Sequence, residues 1–251
     1  MTGILSGRPA IVTGAGRGVG RGIALALASE GAEVAVLERS EDTFGDTCDE
    51  IARRGGRSIP VLCDVREPDQ VTSAVATVVE QLGGVRILVN NAQMTSHGPL
   101  LELDEQDLDD GWRSGPLAAL RFMQACHPHL RDGGAVVNIS SGAATLAGPP
   151  GMAGYAAVKA ALQTFSRAAA VEWGRDGIRV NTVQPLVTSP GYEQWLAENP
   201  DKPRSLDHVP MGRMGDAELD VGRTVVFLVG PDAGMITGTI VPVDGGSAYL
   251  R

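Results

Sequence analysis

Basic residues are in the minority in this chain. Its 251 residues include 21 Lys and Arg against 30 Asp and Glu, a formal net charge of −9. No basic stretch is long enough to offset that balance, which argues against a partner held by its phosphate backbone, so no nucleic acid is expected. Cysteine is sparse. Cys48, Cys63 and Cys126 are odd in number and widely spaced. They match neither a disulfide framework nor a zinc spacing, and they point to a reducing, cytoplasmic setting with no metal site. Long apolar runs are missing too. None reaches the ~18 residues a membrane span requires. Met1 to Pro9 lacks a basic segment followed by an apolar stretch, so no signal peptide is expected.

Glycine is what the chain has in excess. There are 33 glycines, a share near twice the usual ~7%. That surplus implies tight turns or close backbone approaches, so the places where glycines cluster matter. The length permits one large domain with a sizeable core. No linker, repeat or low-complexity tract divides it, and 1–251 reads as a single domain.

Apolar runs of strand length alternate with helical patterns along the whole chain. Strands are expected at Ala10–Thr13, Val34–Leu37, Ser58–Cys63, Ile87–Val89, Ala135–Ile139, Arg179–Val183 and Thr239–Val243. Helices are expected at Val19–Ser29, Glu41–Arg54, Pro68–Leu82, Tyr155–Trp173 and Ala217–Val229, with a long helical region over Glu105–Leu130. Such alternation calls for an α/β fold, a doubly wound, Rossmann-like parallel sheet with helices on both faces. The exception is 188–214, with Pro190, Pro200, Pro203 and Pro210 inside it and Pro185 at its edge. A loop of that length reads as a substrate lid. In such sheets ligands sit beyond the carboxyl ends of the strands, where strand order reverses.

The first strand end carries Thr13-Gly14-Ala15-Gly16-Arg17-Gly18-Val19-Gly20. Glycines allow the turn and let the backbone approach a pyrophosphate, while the following helix offers free N–H groups. The second strand ends at Glu38. An acid there accepts hydrogen bonds from ribose hydroxyls and repels a 2′-phosphate, whereas Arg17 and Arg39 would pair with one. The balance favours NAD, with NADP as the alternative, because a carboxylate facing a phosphate costs more than an idle arginine. Asp64, after the third strand, is placed either to bind an adenine amino group or to cap the helix near Pro68.

Val136-Val137-Asn138-Ile139-Ser140-Ser141 ends a strand in two hydroxyls. Tyr155 and Lys159 follow, four positions apart on one helix face. A tyrosine has a pKa of ~10, too high for proton transfer at neutral pH, and a nearby ammonium lowers it. A hydroxyl for a carbonyl oxygen, an acid to protonate it and a hydride source opposite are the parts of carbonyl reduction.

At this point the chain resembles the short-chain dehydrogenase/reductase family, in its shorter single-domain branch with 3-oxoacyl reductase-like members. The matching marks are the glycine segment 13–20, Asp64, Asn90-Asn91-Ala92, Ser141, Tyr155-Ala-Ala-Val-Lys159, Arg179-Val-Asn181, Pro185 and Asp244-Gly-Gly246. They span nearly the whole length. The resemblance implies a seven-stranded parallel sheet, a nicotinamide cofactor, a small-molecule substrate, and a homotetramer or homodimer built partly from the two long helices. It implies Tyr155 as general acid/base and Ser141 on the substrate oxygen. Lys159 would hold the nicotinamide ribose and lower the tyrosine pKa. Gly14, Arg17, Gly18, Val19, Glu38, Arg39, Asp64, Val65, Asn91, Ala92, Tyr155, Lys159, Pro185, Val187 and Ser189 would surround the cofactor.

Several positions depart from the family pattern. Gln93 stands where the family has glycine, and either narrows the substrate entrance or points outward. Gly115 stands where the long helix has an asparagine that holds a water linking the lysine to solvent. Pro116 follows it and is expected to break the helix near 114–116, releasing a backbone carbonyl that would hold the water instead. The Ser141-to-Tyr155 spacing is one residue longer than usual, with Pro149-Pro150 as the place to absorb it and Ser140 as a substitute for Ser141. Leu186 follows Pro185 where glycine is usual.

The leading expectation is an NAD(P)-dependent oxidoreductase acting on a secondary alcohol or ketone. A 3-oxoacyl-thioester reductase is the alternative within the class, weakened by the lack of a clear basic patch in 188–213. A cofactor-binding protein with weak or no catalysis is the alternative outside it. His97 is placed to border the substrate pocket, Tyr192 and Trp195 to line it, His127-Pro128-His129 to cap a helix end, and Trp112 to pack within a helix.

Overall fold

A computed structural model describes residues 3–95, 98–146, 151–188, 206 and 209–248. Strand–helix alternation is present throughout them. The order is β1 (Pro9–Thr13), α1 (Gly18–Ser29), β2 (Glu33–Glu38), α2 (Glu41–Arg53), β3 (Arg57–Leu62), α3 (Pro68–Leu82) and β4 (Ile87–Asn90). Then follow α4 (Glu105–Ser114), α5 (Pro116–Leu130), β5 (Ala135–Ile139), α6 (Ala153–Trp173), β6 (Arg179–Pro185), α7 (Arg223–Val229) and β7 (Ile240–Val243). A π-helical turn, Ala217–Gly222, leads into α7.

The seven strands form one sheet in the order β3-β2-β1-β4-β5-β6-β7. Every pairing is parallel. The chain winds outward from β1 to β3, then returns to place β4 against the other side of β1, with Ala10 opposite both Val34 and Ile87. The reversal between β1 and β4 opens a crevice at their carboxyl ends.

Side-chain alternation along each strand builds two cores. Ala10, Val12, Val34, Val36, Ile87 and Val89 face one side, packed under α1, α2 and α7. Ile11, Ala35, Leu37, Leu88, Val136 and Val180 face the other, under α3, α5 and α6. This is why the central strands read as continuous apolar runs. Burial of a side chain such as Phe122, fully enclosed in the second core, contributes about 1.5–3 kcal/mol.

The long helical region is broken where Pro116 predicts. Gly115 has φ −101° and ψ −102°, ending α4 and preceding α5. Two capping expectations are not met. Asp64 does not cap α3, whose N-cap is Glu67. His127 does not cap α5 but pairs through Nε2 with Asp176 Oδ2 at 3.0 Å, its ring edge-on to Trp173. Trp112 packs edge-on against Phe165 of α6 while staying partly exposed. Of the proposed lid, residues 189–205, 207 and 208 lie outside the described residues, and so do Ser189, Tyr192 and Trp195 within it. His97, Pro149 and Pro150 also lie outside them.

Candidate active site

The crevice between β1 and β4 is held by reciprocal hydrogen bonds. Thr13 Oγ1 accepts the N–H groups of Asn91 at 2.9 Å and Ala92 at 3.0 Å. Asn91 Nδ2 donates to the carbonyls of Thr13 at 2.9 Å and Gly14 at 3.0 Å. Sequence reasoning assigned Thr13 no role of its own. Its buried hydroxyl fixes the distance between the two strand ends, a role visible only once the strands are neighbours.

The glycine loop is shaped by its neighbours. Gly14 and Gly18 have φ of 64° and 55°, a region that L side chains rarely adopt. A Cβ on Gly16 would run into the Thr43 carbonyl, and one on Gly20 into the Gly14 carbonyl. The N-cap of α1, Arg17, makes no side-chain capping bond. The first-turn N–H groups therefore have no side-chain acceptor at the cap, the arrangement that suits a phosphate.

An open cleft of about 280 Å³ follows from this loop. Eight predicted cofactor residues line it: Gly14, Arg17, Glu38, Arg39, Asp64, Val65, Asn91 and Ala92. Gly18 and Val19 open α1 beside it. Pro185 ends β6, and Val187 bridges to Gly215; neither lines the cleft. Glu38 Oε1 accepts the Gly16 N–H at 2.7 Å, which places the carboxylate at the glycine loop.

Arg66 also lines the cleft and was not anticipated. It grips Asp64 through Nε at 3.1 Å and Nη2 at 2.7 Å, and reaches Asp110 of α4 at 3.2 Å. This side-chain pairing, chiefly, holds the Asp64 carboxyl below its ordinary pKa. The signal was two positions away in sequence, but its meaning depended on α4 arriving alongside.

Ser141, Tyr155 and Lys159 come together at the end of β5 and the start of α6. Ser141 and Tyr155 share a side-chain hydrogen bond. Ser141 Oγ also accepts the Ala143 N–H at 3.2 Å. Ser140 is committed elsewhere: its buried hydroxyl donates to the Lys159 carbonyl at 3.3 Å and accepts from Gln163 Nε2 at 3.0 Å. That leaves Ser141 as the hydroxyl facing the tyrosine.

The electrostatics differ from the expected pairing. Burial raises the Tyr155 phenol above its ordinary pKa, and the Ser141 bond pulls against that shift. The Lys159 ammonium is buried, lies 5.7 Å from the centre of the Tyr155 ring and donates to the Ile139 carbonyl at 2.7 Å. Burial lowers its own pKa to about 7. A lysine that readily loses its proton at neutral pH exerts a weaker field on the phenol.

Beneath Lys159 is a small enclosed cavity with room for about one water molecule. Thr13, Asn90, Ser114 and Gly115 share its wall. Asn90 Nδ2 donates to Asn138 Oδ1 at 2.8 Å, and Asn138 Nδ2 donates to Ser166 Oγ at 2.8 Å. Asn90 Oδ1 is buried with no hydrogen-bond partner among the described residues. The Gly115 carbonyl is not released by the helix break, since it accepts the Ala119 N–H at 2.9 Å.

Gln93 does not point outward. Its side chain turns inward and lies in the space that a side chain on residue 115 would occupy. A Cβ on Gly115 would meet Gln93 Oε1, with Cδ at 2.8 Å and Nε2 at 2.9 Å. Gln93 Nε2 donates to the carbonyls of Met94 at 2.7 Å and Gly111 at 2.8 Å.

Known proteins share this frame. Residues 14–248 match a family model described as enoyl-(acyl carrier protein) reductase. A 12alpha-hydroxysteroid dehydrogenase from Clostridium sp. is 39% identical, covering 97% of this chain and 98% of that protein. A short-chain dehydrogenase/reductase from Burkholderia xenovorans superposes with TM-score 0.94 at 34% identity, covering 99% of both chains. A short-chain dehydrogenase from Burkholderia cenocepacia, solved in complex with NADP, has TM-score 0.89 at 36% identity, covering 97% of this chain and 98% of its own.

Proposed function

Because this chain belongs to the short-chain dehydrogenase/reductase family, we propose that Ser141, Tyr155 and Lys159 carry its oxidoreductase chemistry on a secondary alcohol or ketone. The observation that carries this reading is the Ser141–Tyr155 side-chain hydrogen bond, formed with Lys159 one helical turn away. The residues of the glycine loop, the uncapped first turn of α1 and the strand ends at Glu38, Asp64 and Asn91 fit a dinucleotide. A bound nicotinamide supplies or accepts the hydride.

The chain's own residues handle the oxygen and its proton. Ser141 Oγ donates to the substrate oxygen and fixes its position against Tyr155. In reduction, the Tyr155 hydroxyl donates its proton to that oxygen; in oxidation, the phenolate takes it back. Lys159 orients the ribose end of the cofactor and, with a pKa near 7, exchanges a proton within the working range. The segment 188–214 would close over the substrate, and Ser189 would add a cofactor contact.

For the cofactor, NAD is the reading that Glu38 supports, since a carboxylate held at Gly16 opposes a 2′-phosphate. NADP is the second reading, favoured by Arg17 and Arg39 on the same cleft and by the ligand of the Burkholderia cenocepacia relative. The substrate panel begins with hydroxysteroids, the class named by the Clostridium relative, and extends to other secondary alcohols, ketones and 3-oxoacyl thioesters. The test is nicotinamide absorbance against that panel with both cofactors. Turnover of at least one alcohol–ketone pair is expected. Cofactor binding without turnover across the panel would favour a non-catalytic role.

A homotetramer or homodimer built through α4 and α6 fits the apolar groove between Leu108, Trp112, Ala157 and Val158, and the exposed Val171 of α6. Sedimentation would report the assembly. A cytoplasmic setting is consistent with three unpaired cysteines. Among the described residues no helix is long and apolar enough to cross a membrane.

A further inference from the structure

The loop after β4 meets the end of α4 at an unusual contact. Gln93 sits between Ala92 and Met94, and all three line the cofactor cleft. The amide of Gln93 leaves the cleft and inserts behind it, into the hollow that Gly115 provides. There Nε2 bridges two carbonyls, Met94 on its own loop and Gly111 in the last turn of α4. A second tie runs parallel: the Met94 N–H donates to Ser114 Oγ at 2.9 Å, and that hydroxyl donates to the Asp110 carbonyl at 2.7 Å.

Two features show that this contact depends on both residues. Gly111 lies one turn before the break, so its carbonyl already accepts the Gly115 N–H at 3.0 Å and uses a second lone pair for Gln93. Gln93 Oε1 is buried with no hydrogen-bond partner among the described residues. A buried orphan acceptor is costly. It is tolerated here because Gly115 presents only a hydrogen in the Cβ direction, so that Oε1 rests against a Cα–H. Any larger residue at 115 would occupy the place of the amide.

We propose that Gln93 is a positioning residue for the dinucleotide cleft, and that Gly115 is the socket that lets it act. The Gln93 amide pins the wall formed by Ala92 and Met94 to the α4–α5 break. The cleft keeps its width only while the amide is seated. The inference rests on the proposed reading of the cleft as a dinucleotide site.

Gly115→Ala offers a selective probe. The three atoms its Cβ would meet first are the far end of a flexible side chain, so the substitution evicts the amide. Binding of NADH and NADPH is followed by fluorescence in wild type, Gly115→Ala, Gln93→Gly, Gln93→Met and the double variant Gln93→Gly/Gly115→Ala, well below each melting temperature. Each single variant is expected to weaken binding of the preferred cofactor about tenfold. The double variant should bind like Gln93→Gly alone, because the alanine then has nothing to displace. Gln93→Met fills the volume without donating, so it should also weaken binding. A merely structural contact would lower the melting temperature and leave the dissociation constant of the folded variants unchanged; that result overturns the proposal. So would wild-type binding by Gln93→Met, or effects in the double variant that multiply. Failure of the wild type to bind either cofactor would overturn the underlying reading and the inference with it.

Discussion

Glu38 and Gly16 are joined by a 2.7 Å hydrogen bond from the glycine-loop N–H to the carboxylate, 22 positions apart in sequence. The bond fixes a negative charge at the mouth of the cleft. Arg39, the next residue, is exposed. Replacing Glu38 with Ala is therefore expected to shift cofactor preference toward NADPH. The ratio of kcat/KM for NADH to that for NADPH should fall by at least about tenfold, the scale of removing one like-charge contact. An unchanged ratio would remove Glu38 as the selector.

Tyr155→Phe deletes the hydroxyl that bonds to Ser141 and keeps the ring. Turnover should fall by about 10²–10⁴, the range of a lost general acid. NADH binding should persist, because the glycine loop, Glu38, Asp64 and Asn91 are left unchanged. Near-normal turnover would refute the assignment.

Lys159 makes stability depend on pH. Burial lowers its pKa to about 7 in the folded chain, against ~10.4 when unfolded. Between those values the unfolded chain binds more protons, so this group makes stability rise with pH across that window. Below pH 7 both states are protonated and the cost of burying the charge is fully present. Lys159→Met should therefore melt higher than wild type at pH 6, by a few °C, with the difference shrinking toward pH 10. Thermal unfolding across that range checks the sign; a difference that grows with pH would contradict it.

Arg66 holds Asp64 by two nitrogens and ties it to α4 through Asp110. If Asp64 receives an adenine amino group, Arg66→Leu should loosen that end alone. NADH binding is expected to weaken about tenfold, near the lower end for one charge-assisted hydrogen bond. Reduced nicotinamide mononucleotide, which lacks adenine, should bind both proteins equally. Equal losses for the two ligands would mean that Arg66 acts on the cleft as a whole.

Much of the fold was legible because its signals are local. The apolar runs of β1, β2 and β4, the glycine loop before α1 and the break at Pro116 each follow from residues within a few positions. The Tyr155–Lys159 spacing is likewise a property of one helix. The surplus of glycine was legible only in part. Gly14 and Gly18 are needed for their positive φ, a local property, while Gly16 and Gly115 are needed because something distant in sequence lies where a Cβ would go.

Strand–helix alternation, the place of the phosphate loop and the candidate Ser–Tyr–Lys set are local properties, because backbone propensity and helical spacing act over one or two turns. Which groups meet was settled by folding. It set the Thr13 hydroxyl between Asn91 and Ala92, Arg66 between Asp64 and Asp110, and the Gln93 amide against Gly115. It also loosened the proton of Lys159 through burial. Desolvation and steric fit depend on every neighbour packed around a group, and those neighbours come from strands and helices that adjoin only after folding.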